Sequence, residues 1–394
     1  MKILFIANRF PYPPFRGDKL KIYNLAKRIA KHHELHLITF AENKDDLNYL
    51  PELQNIFTKT VIVDLPKWKS VLNVGLGLLG SKPLQVNYFK SSEFRSKLDL
   101  LLKTNEYDAI HVQHLRMAQY AMDLKQNYRI LDLPDAFSLY WQRRKSVARS
   151  LPSRILDNIE SSRVLKYEKQ ILQAFDLNLV CSMEDLNFLK DRHKIEHIRL
   201  LPNGVDTDKF HPMNHDYSHA HTLLFTGNMD YDPNVDAVLY FAEQILPVIQ
   251  NQYPNVKFVI AGQRPIDKVK ALHNGSSIEV TGFIPDLSQT YNEASVVVAP
   301  LRFGAGTQNK VLEAMAMGIP VVCSHIGFEG LGISDGEGAF MRKDPESFAR
   351  QVMTLLGDEQ LRIRTGQTGV NVIQQNFSWD QVSGILERYL EKTF

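Results

Sequence analysis

Arg302, Lys310 and Glu313 follow the apolar run Ser295 to Ala299 and bracket the loop Phe303-Gly304-Ala305-Gly306-Thr307-Gln308-Asn309. Gly304 and Gly306 free the backbone to wrap an anion, and two cations so placed reach one diphosphate. Glu313 stands one helical turn beyond Lys310, on the same face, where a carboxylate can accept two hydroxyls of a ribose. A surface ion pair between Lys310 and Glu313 is the plain alternative. Two other turns follow apolar runs in the same region. Thr281-Gly282-Phe283-Ile284-Pro285-Asp286 could clasp a flat base through its backbone and an apolar wall. Gly262-Gln263-Arg264-Pro265 offers a third cation, Arg264, for phosphate.

The front of the chain carries a second group. A Pro-rich excursion from Phe10 to Arg16 delivers Gly17 and Asp18 to the start of a helix, whose unpaired amides suit phosphate. Simple N-capping by Asp18 is the alternative. The segment is not GxGxxG, so it lacks a dinucleotide fingerprint. Leu131-Asp132-Leu133-Pro134-Asp135 places two acids at a strand end, and Asp135 is the candidate to act on substrate. Asp132 as buried support and Asp135 as a cap remain open. His111 and His114 have HxxH spacing without a third ligand nearby, so no zinc site is expected. The absence of GxSxG, Walker, CxxC and HExxH patterns disfavours serine hydrolases, P-loop enzymes, redox folds and zinc proteases. Aromatic-rich RNA-binding motifs are absent too, and no nucleic-acid partner is expected.

These loops need rigid elements behind them. Short apolar runs alternate with amphipathic stretches: Ile3 to Ala7, a helix over Lys19 to Lys31, Leu35 to Phe40, Ala109 to Val112 and Ile130 to Leu133. The pattern restarts after Leu201-Pro202-Asn203-Gly204, with Thr222 to Thr226, a helix over Val235 to Gln250, Val256 to Ala261, Ile278 to Thr281, Ser295 to Ala299, a helix over Lys310 to Met317 and Pro320 to Cys323. That is βαβ grammar, hence an α/β fold with parallel sheets. With 394 residues, two tandem Rossmann-like domains are expected, 1–195 and 196–376, followed by a tail helix within 377–394. In such sheets ligands bind beyond the carboxyl ends of the strands, where every loop singled out above lies.

Charge is unevenly distributed. Residues 1–150 hold 24 Lys+Arg against 14 Asp+Glu, and the remainder 22 against 30. A basic front half suits an anionic partner, although a solvated face is the alternative. Trp68 and Leu72, with Lys67, Lys69 and Lys82, suggest reversible docking on an anionic membrane; an ordinary surface hairpin or helix is the alternative. The weakly polar stretch Val71 to Gly80 is far short of the roughly 20 residues that span a bilayer. Cys181 and Cys323 each follow an apolar pair, as buried strand ends do, and a cytoplasmic setting is expected.

With its loops located, the chain resembles the glycosyltransferases of the GT-B architecture, in particular the bacterial family-four retaining enzymes. The sharpest matches are Leu201-Pro202-Asn203-Gly204-Val205-Asp206 with Phe210 and Pro212, and Leu312-Glu313-Ala314-Met315-Ala316-Met317-Gly318-Ile319-Pro320. Softer ones are Leu224 to Met229, Val259 to Gly262, Val280 to Phe283 and Phe377-Ser378-Trp379. The resemblance implies a cleft between the two domains, with the acceptor side in the first and the donor side in the second. It also implies a last helix packing back on the first domain. A nucleotide-diphosphate sugar would be the donor, with Glu313 on its ribose, Gly282 and Phe283 at its base, and Gly17 and the Gly306-Thr307-Gln308 backbone at its diphosphate or sugar. Gly227, Asn228 and Asn309 fall in the matching donor loops. The acceptor would be a carbohydrate, a lipid-linked or a small molecule, in cell-surface polysaccharide or glycolipid synthesis. No metal and no cofactor is implied, because Lys, Arg and helix dipoles meet the leaving-group charge.

The chain departs from the family in three places. Ala305 stands where the family often has a first glutamate, separated from its second by seven residues, Asn228-Met229 where it has Arg then Lys, and Pro134 near its histidine. Arg302 and Lys310 are expected to replace the missing cations, and Asp135 the histidine. The rival readings are a donor-binding scaffold subunit without activity and a sugar-nucleotide epimerase of the same fold.

Overall fold

The computed structural model describes residues 1–15, 17–144, 151–213 and 221–391. They form two compact units, Met1–Pro202 with Ser383–Phe394, and Asn203–Val382. The sequence reading divides the chain after residue 195; the change of unit falls at Pro202, within the Pro-Asn-Gly segment.

The first unit is built on seven parallel strands: β1 (Lys2–Ala7), β2 (Glu34–Ala41), β3 (Lys59–Asp64), β4 (Ala109–Gln113), β5 (Tyr128–Leu133), β6 (Leu177–Val180) and β7 (Ile198–Leu200). Their order is β3-β2-β1-β4-β5-β6-β7. Phe5 in β1 faces Leu37 in β2 on one side and His111 in β4 on the other. The central strands are apolar on both faces because helices cover both, which is why they read as continuous apolar runs. Between β1 and β4 the strand order reverses. That reversal opens a crevice at the strand ends, and the loops after β1 and β4 line it.

The second unit repeats the scheme with β8 (Thr222–Thr226), β9 (Lys257–Ala261), β10 (Ile278–Gly282), β11 (Val296–Ala299), β12 (Val321–Cys323) and β13 (Ala339–Met341). Here the order is β10-β9-β8-β11-β12-β13, again wholly parallel. The reversal lies between β8 and β11. Cys323 ends β12 and Cys181 follows β6, both buried and unpaired with each other.

Strands β3, β7 and β13 are additions to the sequence reading, and two of the helices it expects also differ. The helix expected over Val235 to Gln250 is a helix Asp232–Tyr240, a π-turn Phe241–Ile245 and a second helix Leu246–Gln252. Pro247 is the cause: its ring fills space near the carbonyl four residues back and offers no N–H, so the coil widens before it. The tail helix expected within 377–394 runs Trp379–Glu391, and residues 392–394 lie outside the described residues. Its later part belongs to the first unit, where the Tyr389 hydroxyl donates to the Leu200 carbonyl at 3.0 Å.

The Pro-Asn-Gly segment and the Phe-Ser-Trp segment fold onto each other within the second unit. Val205 N–H donates to the Phe377 carbonyl at 2.8 Å, and Val205 bridges Ser378. A Cβ on Gly204 would lie 2.5 Å from the Trp379 ring, so only glycine fits beneath that indole. No helix among the described residues is long and apolar enough to cross a membrane.

Candidate functional site

β11 ends at Ala299, and the chain then loops through Gly304 and Gly306 before the helix Asn309–Ala316. Gly304 (φ 143°) and Gly306 (φ 73°) both take backbone conformations that L side chains avoid, so the loop shape depends on them. The Asn203 amide fastens its far end, donating to Asn309 Oδ1 at 3.2 Å and the Thr307 carbonyl at 3.5 Å. The helix thus starts at the strand ends where β8 and β11 are neighbours, and its N-terminal end favours an anion there.

Lys310 is buried in the first turn of that helix. Its Nζ donates to Asn234 Oδ1 at 3.2 Å and Gln308 Oε1 at 3.3 Å, and lies 5.1 Å over the Phe225 ring. Burial pulls its pKa down to about 8, with Glu313 opposing. A buried ammonium held by neutral amides retains most of its attraction for an anionic ligand. Glu313 turns instead to Tyr291, whose hydroxyl donates to Oε2 at 2.8 Å. Burial raises the Glu313 pKa to about 7, against the Tyr291 hydrogen bond and the Lys310 charge. Lys310 and Glu313 therefore take different partners.

Glycines bring the neighbouring strand ends close together. The Gly227 N–H donates to the Ala261 carbonyl, and the Gly262 N–H to the Gly282 carbonyl, each at 3.0 Å. Gly227, Gly262 and Gly282 all have positive φ, and a Cβ on Gly262 would fall 1.7 Å from the Gly227 oxygen. Asn228 Oδ1 accepts from Gln263 Nε2 at 2.7 Å, and its carbonyl accepts from Asn234 Nδ2 at 3.0 Å. Asn234 thereby links the Gly227 turn to Lys310. Phe283 projects beyond Gly282, half exposed, at the end of β10. The structure thus gathers Gly227, Asn228, Gly282, Phe283, Gly304, Gly306, Thr307, Gln308, Asn309, Lys310 and Glu313 at one sheet edge.

Two expected phosphate ligands are engaged elsewhere. Arg302 grips Asp236, with Nε to Oδ2 at 2.8 Å and Nη2 to Oδ1 at 2.5 Å, and lies 4.7 Å over Tyr240. Its charge is already balanced by Asp236, whereas the buried Lys310 has neutral amide partners. Arg264, at positive φ, pairs with Asp230 at 3.3 Å. Tyr291 and Asn234 were absent from the sequence reading. A tyrosine on the short helix Leu287–Asn292 and an amide in the first turn after β8 were the only traces of them.

In the first unit, Gly17 opens the helix Gly17–Ile29 and Asp18 lies in its first turn. Asp18 Oδ2 accepts from Arg9 Nη1 at 2.6 Å and Asn8 Nδ2 at 3.3 Å, while Gln113 Nε2 donates to the Asp18 carbonyl. Asp18 thus tethers the loop after β1 to the end of β4. Asp132 is the buried support considered for it: Lys21 Nζ donates to Oδ1 at 2.6 Å and to the Leu201 carbonyl at 3.1 Å. His111 lies 3.7 Å from Asp132 and stacks on Phe5. Burial lowers its pKa to about 4, so it is a neutral filler of the sheet. Asp135 sits in the turn between β5 and the helix Phe137–Arg144, partly exposed. Burial and the nearby Asp185 raise its pKa to about 8, with Lys21 and Arg116 pulling it down. At neutral pH it carries a proton, which it can donate in a hydrogen bond to a ligand hydroxyl.

Similarity to known proteins follows the same division. A family model described as "Glycosyltransferase Family 4" matches residues 22–209, and one described as "Glycosyl transferases group 1" matches residues 220–358. An uncharacterized 44.6 kDa protein in the cps region of Klebsiella pneumoniae is 23% identical over 97% of each chain. Sucrose-phosphate synthase from Thermosynechococcus elongatus superposes with a TM-score of 0.74 at 18% identity, covering 100% of both chains. Alr3699/HepE of Anabaena, solved with UDP and glucose, superposes with a TM-score of 0.71 at 16% identity over 99% of both.

Proposed function

The chain belongs to the glycosyltransferases of GT-B fold, in family four (group 1), and from that premise we propose that it transfers a hexose from a nucleotide-diphosphate sugar with retention of configuration. The observation that carries the reading is the placement of buried Lys310 and part-buried Glu313 on the helix after the Gly304–Gly306 loop, at the strand-order reversal. Lys310 and the amides of Gly306 to Asn309 hold the diphosphate. Glu313 accepts the ribose hydroxyls, and the Gly282-Phe283 turn backs the base. The HepE structure, with UDP and glucose bound, supports a nucleotide-sugar ligand.

In the transfer step the bond from the anomeric carbon to the diphosphate breaks and the acceptor oxygen bonds to that carbon on the same face. The acceptor proton passes to a diphosphate oxygen. Positioning and electrostatics are the protein's share, so the reading needs no metal and no cofactor. Asp135, in the first unit, acts as a hydrogen-bond donor on the acceptor side. The setting is cell-surface polysaccharide or glycolipid synthesis at the cytoplasmic face of an anionic membrane; the 24% identity over 48% of this chain to a capsular polysaccharide biosynthesis glycosyltransferase of Staphylococcus aureus supports the polysaccharide part.

Thermal shifts across a panel of nucleotide sugars, starting with UDP-hexoses, test the donor. At about 100 times its dissociation constant a true donor stabilises by about 2.7 kcal/mol. Absence of any shift, together with no acceptor-dependent release of nucleoside diphosphate, would reject the reading.

A further inference from the structure

The helix Lys67–Gly77 is built inside out. Ser70 is buried, while Trp68 (66% exposed), Val71 (65%) and Leu76 (71%) face outward with Leu72. The spacing of these residues, at i, i+3, i+4 and i+8, puts them on one helical face. The turn that follows adds Leu78 and Leu79, the latter 99% exposed. Helix Leu151–Ala174 brings a second exposed apolar row beside this turn: Ile155, Leu156 and Ile159. Contiguous apolar surface of this extent marks an interaction site.

This turn is held in place. Arg163 Nη2 donates to the Leu78 carbonyl at 2.5 Å and Nη1 pairs with Glu160 at 2.8 Å, while Glu160 Oε2 accepts from the Leu84 N–H at 2.8 Å. Ser81, Asn158, Ile159, Ser162, Arg163 and Lys166 line an open depression of about 430 Å³ beside the leucines. The charges around it are sorted by sign. From Leu65 to Ser92 the chain has four lysines and no acid. On Leu151–Ala174 the acids Asp157, Glu160 and Glu168 are buried, while Arg154, Lys166 and Lys169 are exposed.

We infer that this ridge and depression dock the protein on an anionic phospholipid bilayer, with Leu76, Leu78 and Leu79 entering among the acyl chains and a headgroup phosphate seated in the depression beside the exposed Lys166. Cations turned outward around an apolar ridge match a lipid phosphate layer above hydrocarbon, and hydroxyls and an amide complete the seat. The inference deepens the membrane setting of the proposed transfer by naming the surface that meets the bilayer, and so the side from which a lipid-linked acceptor arrives.

Co-sedimentation of the full chain with phosphatidylcholine vesicles, with and without phosphatidylglycerol, tests it. The protein should pellet with the anionic vesicles at low salt and release as salt rises. Leu76→Glu combined with Leu79→Glu should abolish binding. Lys82→Glu with Lys166→Glu should weaken it at least about twenty-five-fold, each lost cation counting about fivefold. Both double variants change exposed side chains, and unaltered thermal shifts with a nucleotide sugar will show them folded with the donor site intact. If no nucleotide sugar shifts any form, melting temperatures report folding and the transfer reading alone fails. Equal pelleting of wild type and variants, or of neutral and anionic vesicles, overturns the inference. So does a dimer in solution that Leu79→Glu disperses while vesicle binding is absent, since the ridge would then belong to a second copy.

Discussion

The hydroxyl of Tyr291 lies 2.8 Å from Glu313 Oε2 and 2.7 Å from Thr226 Oγ1, so one buried phenol joins the end of β8 to the carboxylate of the donor helix. Burial and the Glu313 charge push the Tyr291 pKa well up, so it stays protonated and donates to the carboxylate. That bond aims Glu313 and lowers the cost of ionising it. Tyr291→Phe should weaken donor binding by about 1 kcal/mol, roughly fivefold, without touching the ligand. Isothermal titration would check it; an unchanged affinity would show that Glu313 is aimed by something else.

Donor affinity should depend on pH in opposite senses at the two charged groups. Glu313 must be ionised to accept hydroxyls, so affinity rises with pH through its value of about 7. Lys310 must stay protonated, so affinity falls as pH rises through about 8. The optimum therefore lies between them, and as the groups interact the limbs belong to the pair. Glu313→Gln should flatten the acidic limb, and Lys310→Met the basic one.

Stability without donor responds to the same carboxyl in the opposite sense. The folded pKa of Glu313, about 7, lies above its ordinary 4.5, so its stabilising share is present below 4.5 and lost as pH rises through about 7. Denaturant midpoints of Glu313→Gln should lose this component of the decline over that window.

Lys310→Met should cost roughly 2 kcal/mol of diphosphate affinity, about thirtyfold, because a buried charge-assisted contact is lost. Arg302→Met should change affinity little, since that guanidinium is committed to Asp236. Comparable losses in both would mean that Arg302 leaves Asp236 when the donor binds.

Asp135→Ala, which removes the hydrogen-bond donor, should lower turnover by about 1 kcal/mol, roughly fivefold, and leave donor affinity unchanged. Because burial holds the Asp135 carboxyl protonated up to about 8, the wild-type rate should fall above that pH and the variant should lose this limb. An unchanged rate would remove Asp135 from the acceptor side.

Much of this architecture could be read from periodicity, because β1, β2, β4 and β5 are apolar runs between helical stretches, and their order of appearance dictates parallel pairing. Glu313, Lys310 and their glycines were legible for a similar reason: all lie within one turn of a strand-loop-helix unit. What escaped depends on distance along the chain. Asn234 meets Lys310 across 76 residues and Tyr291 meets Glu313 across 22, and neither residue type marks its partner. Arg302 illustrates the converse. Its position beside the loop suggested phosphate, but Asp236, far off in sequence, claims it. The break before Pro247 was a local signal, overridden in the reading by the apolar period on either side.

Gly262 approaches the Gly227 carbonyl so closely that the ends of β8 and β9 form one inflexible pair. For anyone wishing to retune donor choice, the backbone there is a fixed chassis. Gly262→Ala would wreck the site before it altered preference, whereas exchangeable parts are the side chains mounted on it, Asn228, Gln263 and, across the next turn, Phe283.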